Sequence, residues 1–209
     1  MKKFAFFVCA ALLAALTVNA QNTSLDLSQK ASRDAAKEAK QYKKEGWIVA
    51  PGMLPLERQL DRAYQLQIQL DENGYDKYVK GEAQSIAATY DAAKMQALEL
   101  AKQNMASTIQ TQITTIIDNN VANAQLAREQ AESITQTVAA SKSLIAQDIG
   151  RVMAVVEVYR EKKQKNKEVR VVVFYNAEMA LQSAKKAIRS KLEEKGEKLS
   201  EQLEKALGF

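Results

Sequence analysis

The sequence predicts an α+β fold: a small antiparallel sheet (strand, long helical hairpin, two-strand hairpin) packed on helices, with N- and C-terminal helical extensions. Three observations carry it. Two valine-rich runs, over 152–158 and 169–175, alternate with a period of two and flank a highly charged segment, as a hairpin does. Between residues 91 and 149 the apolar positions instead recur at steps of three and four. A shorter strand-like run precedes that helical region at 75–88. Alanine, leucine, lysine, glutamate and glutamine dominate the chain, with two prolines and seven glycines, a balance that favours helix.

The chain opens with Met1-Lys2-Lys3, an apolar run from 4 to 16, and small residues at Val18-Asn19-Ala20. That is the layout of a secretory signal, cleaved after Ala20, and it predicts export to the periplasm or an outer-membrane-associated location. Cys9 lies inside the apolar run, which continues through Leu12 and Leu13, so it reads as hydrophobic filler and not as a lipidated cysteine. No later stretch approaches the roughly twenty apolar residues a spanning helix needs. Cleavage would leave a chain with neither cysteine nor histidine. Most zinc sites, Cys–His and Ser–His–Asp machinery and disulfide frameworks go with them. Without Lys2 and Lys3 the balance is 28 basic against 25 acidic residues, a net of +3, too mild to argue for nucleic acid.

Residues 21–45 read as a polar lead-in helix with Ala31, Ala35, Ala36 and Ala39 among lysines. Solvation is the plain reading and a lipid-headgroup contact the sharper one. Residues 46–74 form a docking segment and a helix. Gly46 breaks the first helix, Trp47 opens a compact apolar run ending at Pro51-Gly52, and helical spacing resumes through Leu56, Leu60, Tyr64 and Ile68. The lone tryptophan beside aliphatics reads as the anchor of that segment on the core. Asp71 to Gly74 then supplies turn chemistry.

Residues 75–175 form the main domain. Gly81, within the first strand, marks a bulge or a close backbone approach. Ala93, Ala97, Ala101, Met105, Ile109, Ile113 and Ile117 give one apolar helix face, stopped at Asp118-Asn119-Asn120. A second helix carries a seam of Ala124, Ala127, Ala131, Ile134, Val138, Ser141 and Ile145, suited to antiparallel packing on the first. In the hairpin, a register pairing Val156 with Val171 also pairs Val155 with Val172, Met153 with Phe174 and Glu157 with Arg170. Both faces are then apolar, so the face bearing Met153, Val155, Val172 and Phe174 needs a cover, either the region from Trp47 to Leu70 or another subunit. Asn176 caps a C-terminal helix over 176–209, with Leu181, Ala184, Ile188 and Leu192 on one face. Gly196 interrupts it ahead of Leu199, Leu203 and Leu207.

Catalytic chemistry is hard to place. The glycines are scattered, and the lone Ser-x-x-Lys match at Ser183-Ala184-Lys185-Lys186 lacks its companion motifs. Glu82 and Glu157 are the one carboxylate pair with a prospect of meeting, but a glycosidase cleft needs aromatic surface that this chain lacks. Glu157 is better explained by Arg170. The expectation is no enzyme, no catalytic set, no cofactor and no metal. Lys162, Lys163, Lys165 and Lys167 at the hairpin tip are the candidate contact for an anionic partner, against the simpler reading of a solvated turn.

Tyr78-Val79-Lys80-Gly81-Glu82, followed by the alanine-rich stretch from Asp91 to Lys102 with its Ala97-Leu98-Glu99-Leu100-Ala101, resembles the start of the LPP-twenty-type lipoprotein family. The runs 151–159 and 169–175 resemble that family's later strands. The whole chain, with Gly46-Trp47 and Pro55-Leu56-Glu57, is similar to exported proteins of Bacteroidetes-type bacteria. The resemblance implies a helix against a small antiparallel sheet in a dodecin-like arrangement. It also implies attachment to the outer membrane or to surface structures, without a catalytic set. The chain departs from the pattern in lacking a lipobox cysteine and in the length of its helical insert.

The functional expectation is a non-catalytic exported envelope protein acting as a structural or protein-interaction module. It would bind a protein partner or a second copy of itself through Met153, Val155, Val172, Phe174 and Trp47, with peripheral contact to the outer membrane. The alternative is a binding module for a small apolar or anionic envelope ligand, lined by Trp47, Tyr78 and the strand face.

Overall fold

The structure, a computed structural model, describes residues 26–122 and 127–193. The export signal with Cys9 and Ala20, the seam residue Ala124, and the tail with Gly196, Leu199, Leu203 and Leu207 lie outside the described residues. The fold is α+β. In chain order the elements are α1 (residues 26–44), β1 (Ile48–Val49), α2 (Leu56–Gln67), β2 (Tyr78–Ala87), α3 (Tyr90–Ala122), α4 (Arg128–Ala140), α5 (Lys142–Asp148), β3 (Met153–Glu161), β4 (Lys167–Asn176) and α6 (Ala177–Glu193). The sheet is antiparallel throughout, in the order β1-β3-β4-β2.

Helices cover both faces of the sheet. On one face, Val79, Val169, Val171 and Val173 pack under the apolar stripe of α3, which runs from Ala93 through Ile117, and under Ile145, Ile188 and Leu192 from α5 and α6. The 33 residues of α3 extend about 50 Å against about 33 Å for the ten-residue β2, so the helix overruns the sheet. Gly81 fits it against the strand: a Cβ there would lie 2.5 Å from the Ala101 carbonyl oxygen. Of the two readings the sequence allowed at Gly81, close approach is the one realised.

Two helix boundaries differ from the sequence expectation. Asp118-Asn119-Asn120 does not stop α3, which is helical through Ala122. The second helix breaks at Ser141 into α4 and α5. The buried Ser141 hydroxyl donates back to the Thr137 carbonyl at 2.7 Å, and Gln110 of α3 donates to the Val138 carbonyl at 2.5 Å. Side-chain donors thus take up the carbonyls at the end of α4, and the chain turns there. At α6 the cap is as expected, the Asn176 side-chain oxygen accepting from the Met179 amide at 2.9 Å.

The hairpin register needs correction. Met153 pairs with Phe174, but a β-bulge between Ala154 and Val156 shifts everything beyond it by one residue. Val156 therefore faces Val172, Glu157 faces Val171 and Val158 faces Arg170. One extra residue in one strand reverses side-chain direction downstream. Val156 and Val158 consequently join Val155, Val172 and Phe174 on one face, and Glu157 turns to the α3 side.

Candidate functional site

The expected interaction face is a second core. Val155, Val172, Phe174 and Trp47 are all buried, and Met153 is half-buried, in a cluster with Leu56, Leu60, Ala63 and Leu66 of α2 and with Ala35, Ala39 and Tyr42 of α1. Of the two covers considered for this face, the chain's own N-terminal region supplies it. The five residues are not a free surface, and the docking role expected of them falls away.

The lead-in helix is likewise not a solvated extension. Ala31, Ala35 and Ala39 are buried while Ala36 is exposed, so a stripe of methyl groups lets α1 lie close to its neighbours. Polar contacts at the rim hold it there: Tyr64 donates to Glu38 at 2.8 Å, Ser32 to Asp61 at 2.6 Å and Ser28 to Gln65 at 3.0 Å. Burial, then the Glu38 carboxylate, pushes the Tyr64 hydroxyl up to about 12. Trp47 sits 6.1 Å from the Tyr42 ring, with the Arg160 guanidinium 4.3 Å above it. A ligand slot lined by Trp47, Tyr78 and the strand face is therefore filled by protein.

The carboxylates divide between the two faces. Glu157 is 3% exposed and takes an ion pair from Lys94 at 2.7 Å and a hydrogen bond from the Tyr90 hydroxyl, both on α3. Glu82 binds Arg170, whose guanidinium lies 5.0 Å from the Tyr42 ring on the α1 side. The expected Glu157–Arg170 pair does not form, because the bulge sends the two side chains to opposite faces. Glu82 and Glu157 are separated by the sheet and do not converge. Burial works hardest against ionisation of Glu82, but Arg170 and Lys80 together hold it below the ordinary glutamate range.

Of the site residues expected from the sequence, those still open to solvent are at the turn end of the hairpin. Its four lysines separate into two kinds. Lys162 pairs with the buried Glu168 at 3.0 Å, and Lys167 pairs with Glu161. Lys163 and Lys165 are exposed, and among the described residues neither has a carboxylate within ion-pair distance. The turn between them is tight. Gln164 and Lys165 both take left-handed backbone conformations, with φ of 63° and 62°, and the Lys162 amide bonds the Asn166 carbonyl at 2.8 Å. Two successive left-handed residues thus sit in a three-residue loop, and that backbone region is usually left to glycine or asparagine. Here side-chain-bearing residues occupy it, at roughly 1 kcal/mol or more each.

Beneath the turn, Glu168 also accepts from Arg160 at 2.5 Å. Burial is the largest influence on Glu168 and opposes its ionisation. The bonds from Arg160 and Lys162 together outweigh it and hold the carboxyl below its ordinary 4.5. Beside the hairpin, Ile86 of β2 and Ile48 of β1 are each 51% exposed. Sequence reading missed both as surface groups. For Ile86 the signal was present: Tyr78, Lys80, Glu82, Gln84 and Ile86 alternate with Val79, Gly81 and Ala83, and only the second set packs under α3. At the far end of the sheet a cleft of about 400 Å³ is lined by Asp71, Glu72, Asp76 and Glu178 together with Lys77.

No family model matches the chain, and no curated protein or solved structure is significantly similar to it.

Proposed function

We propose that this chain is an exported, non-catalytic envelope protein that works as a structural and interaction module, contacting an anionic partner through the turn end of its β3–β4 hairpin. The observation that carries this reading is the state of Lys163 and Lys165. They are exposed outside the hairpin's ion pairs and are displayed on a turn whose backbone is held in a costly conformation. Strain of this kind persists where the surroundings over-determine it, and it clusters at contact sites. The remaining charges at this end are committed internally, Lys162 and Arg160 to Glu168 and Lys167 to Glu161. The non-catalytic part of the reading is supported by the fates of Glu157 and Glu168, both buried and both tied into ion pairs. It is also supported by the placing of Glu82 and Glu157 on opposite faces. Export rests on the N-terminal signal pattern, and the resemblance to LPP-twenty-type envelope domains points the same way.

Retention on a phosphate-bearing cation exchanger tests the site. Lys163→Glu with Lys165→Glu should elute at clearly lower salt than the parent. Lys30→Glu with Lys40→Glu on exposed positions of α1, which changes the net charge equally, should elute close to the parent. Equal loss in both pairs would reduce the effect to net charge and sink the assignment to the hairpin.

A further inference from the structure

We infer that α2 selects the register of the β3–β4 hairpin, whatever the turn end contacts. Gln59 holds the bulge at Val155, and without its side-chain oxygen β3 moves one residue along β4 into an unbroken ladder.

Gln59 lies in the first turn of α2 and is 1% exposed, a polar side chain within the second core. Its nitrogen donates to the Leu54 carbonyl at 2.5 Å, which fixes the amide group. Its oxygen accepts from the buried Glu157 backbone amide at 2.8 Å. The edge strand does not serve that amide, because β1 pairs with β3 at Tyr159 and Val158 and ends there. Amides along an antiparallel strand point alternately towards and away from the partner strand. The bulge reverses that alternation beyond Val155, so the Glu157 amide turns away from β4, whereas an unbroken ladder would turn it towards β4. The bulged register thus creates a buried donor that α2 satisfies, and leaving such a donor unpaired is costly.

The other register is open to these strands. A slip normally exchanges an apolar face for a polar one, which pins register in most sheets. Here valines occupy both faces of the hairpin. In an unbroken ladder Val155 faces Val172, Val156 faces Val171, and Glu157 gains the opposite charge of Arg170. From α3, the present register is held by the Lys94–Glu157 ion pair at 2.7 Å and by Tyr90 edge-on to Tyr159 at 5.3 Å. From α2 it is held by the Gln59 bond and by the clustering of Val156 and Val158 with Leu56 and Leu60. The two sides differ in what their loss leaves behind. Without Lys94, Glu157 keeps its bond from the Tyr90 hydroxyl. Without Gln59, the Glu157 amide is stranded, and the slip hands it to β4 and the carboxylate to Arg170.

The register also reaches the turn. Arg160 now faces Glu168, and Lys162 bonds Asn166. One step along, Tyr159 would face Glu168 and Lys162 would face Lys165. Docking of α2 therefore fixes which turn the hairpin displays.

Cross-strand backbone NOEs read the register. The parent should connect Glu157 with Val171 and Tyr159 with Val169. In Gln59→Met, similar in size but without the oxygen, these contacts should pass to Val156 with Val171 and to Val158 with Val169. Lys94→Met should keep the parental pattern, because Gln59 still holds the amide. Parental contacts in a folded Gln59→Met protein would overturn the inference, since the bulge would then stand without α2's oxygen. A shift in Lys94→Met as large as in Gln59→Met would overturn it too, by making the register a property of both helical layers. Gln59→Asn, whose shorter side chain withdraws the oxygen, decides between the same outcomes if the methionine variant does not fold.

Discussion

Gly81 and Glu157 show how much a single position controls in this fold. At Gly81 the α3 backbone lies so close that a methyl group would sit 2.5 Å from the Ala101 carbonyl oxygen and 2.7 Å from Met105 Cγ. The methionine can yield, being flexible, but the carbonyl moves only if the helix does. Gly81→Ala should therefore destabilise the protein by about 1–3 kcal/mol, seen as a lower urea midpoint at unchanged slope. An unaltered midpoint would mean that α3 rides further from the strand than described. This contact was legible in the sequence, since a glycine inside a strand has few other uses. The partner of Glu157 was not. Pairing the hairpin's lone acid with its lone base was the economical choice, and it assumed a regular ladder. The bulge at Val155 breaks that ladder, and no residue there announces it, because Ala154, Val155 and Val156 would suit a regular strand equally well. Lys94 and Tyr90, the actual partners, stand more than sixty positions away.

At the scale of the element, the β3–β4 hairpin joins a strained turn to a charged clamp. Glu168 is that clamp, buried at the base of the turn with Arg160 and Lys162 upon it. Its folded-state pKa lies below 4.5, so near that pH the folded chain binds fewer protons than the unfolded chain and stability rises with pH. The contribution is complete above about pH 4.5 and disappears as pH falls through the depressed folded value. Glu168→Gln should thus be less stable than the parent at neutral pH, by about 1–3 kcal/mol for a charge-assisted bond with a buried partner. The difference should shrink towards zero in denaturation series carried below pH 4. A gap independent of pH would show that Glu168 contributes shape and not charge. The existence of this hairpin followed directly from its period-two valines. Its left-handed turn did not, because Gln164-Lys165 lacks the asparagine and glycine by which such turns are recognised.

For the whole molecule, the decisive feature is a sheet sandwiched between two helical layers of unequal kind. The α3–α6 side is built from long aliphatics, and the sequence displayed it plainly in the four-residue spacing from Ala93 to Ile117. The α1–α2 side was only half legible. Two apolar hairpin faces demanded a cover, but a helix whose buried stripe is alanine shows little contrast between its inner and outer faces, so α1 read as solvated. Small side chains give little area per residue and gain their effect from close approach, which periodicity does not weigh. That asymmetry makes a prediction. Ala39 is fully buried in the second core, where an arginine has neither room nor a partner carboxylate in the cluster. Ala39→Arg should lift α1 from the sheet and carry Trp47 towards water, shifting the emission of the only tryptophan to the red. Hydrogen exchange should show α1 amides losing protection while those of α3 and β4 keep theirs, because the aliphatic core on the far side does not include α1. The opened face would present Val155, Val172 and Phe174, so the variant should also bind a hydrophobic dye that the parent ignores. If exchange accelerates equally across α1, α3 and β4, the two cores melt together, and the N-terminal helices are as integral to the domain as the strands they cover.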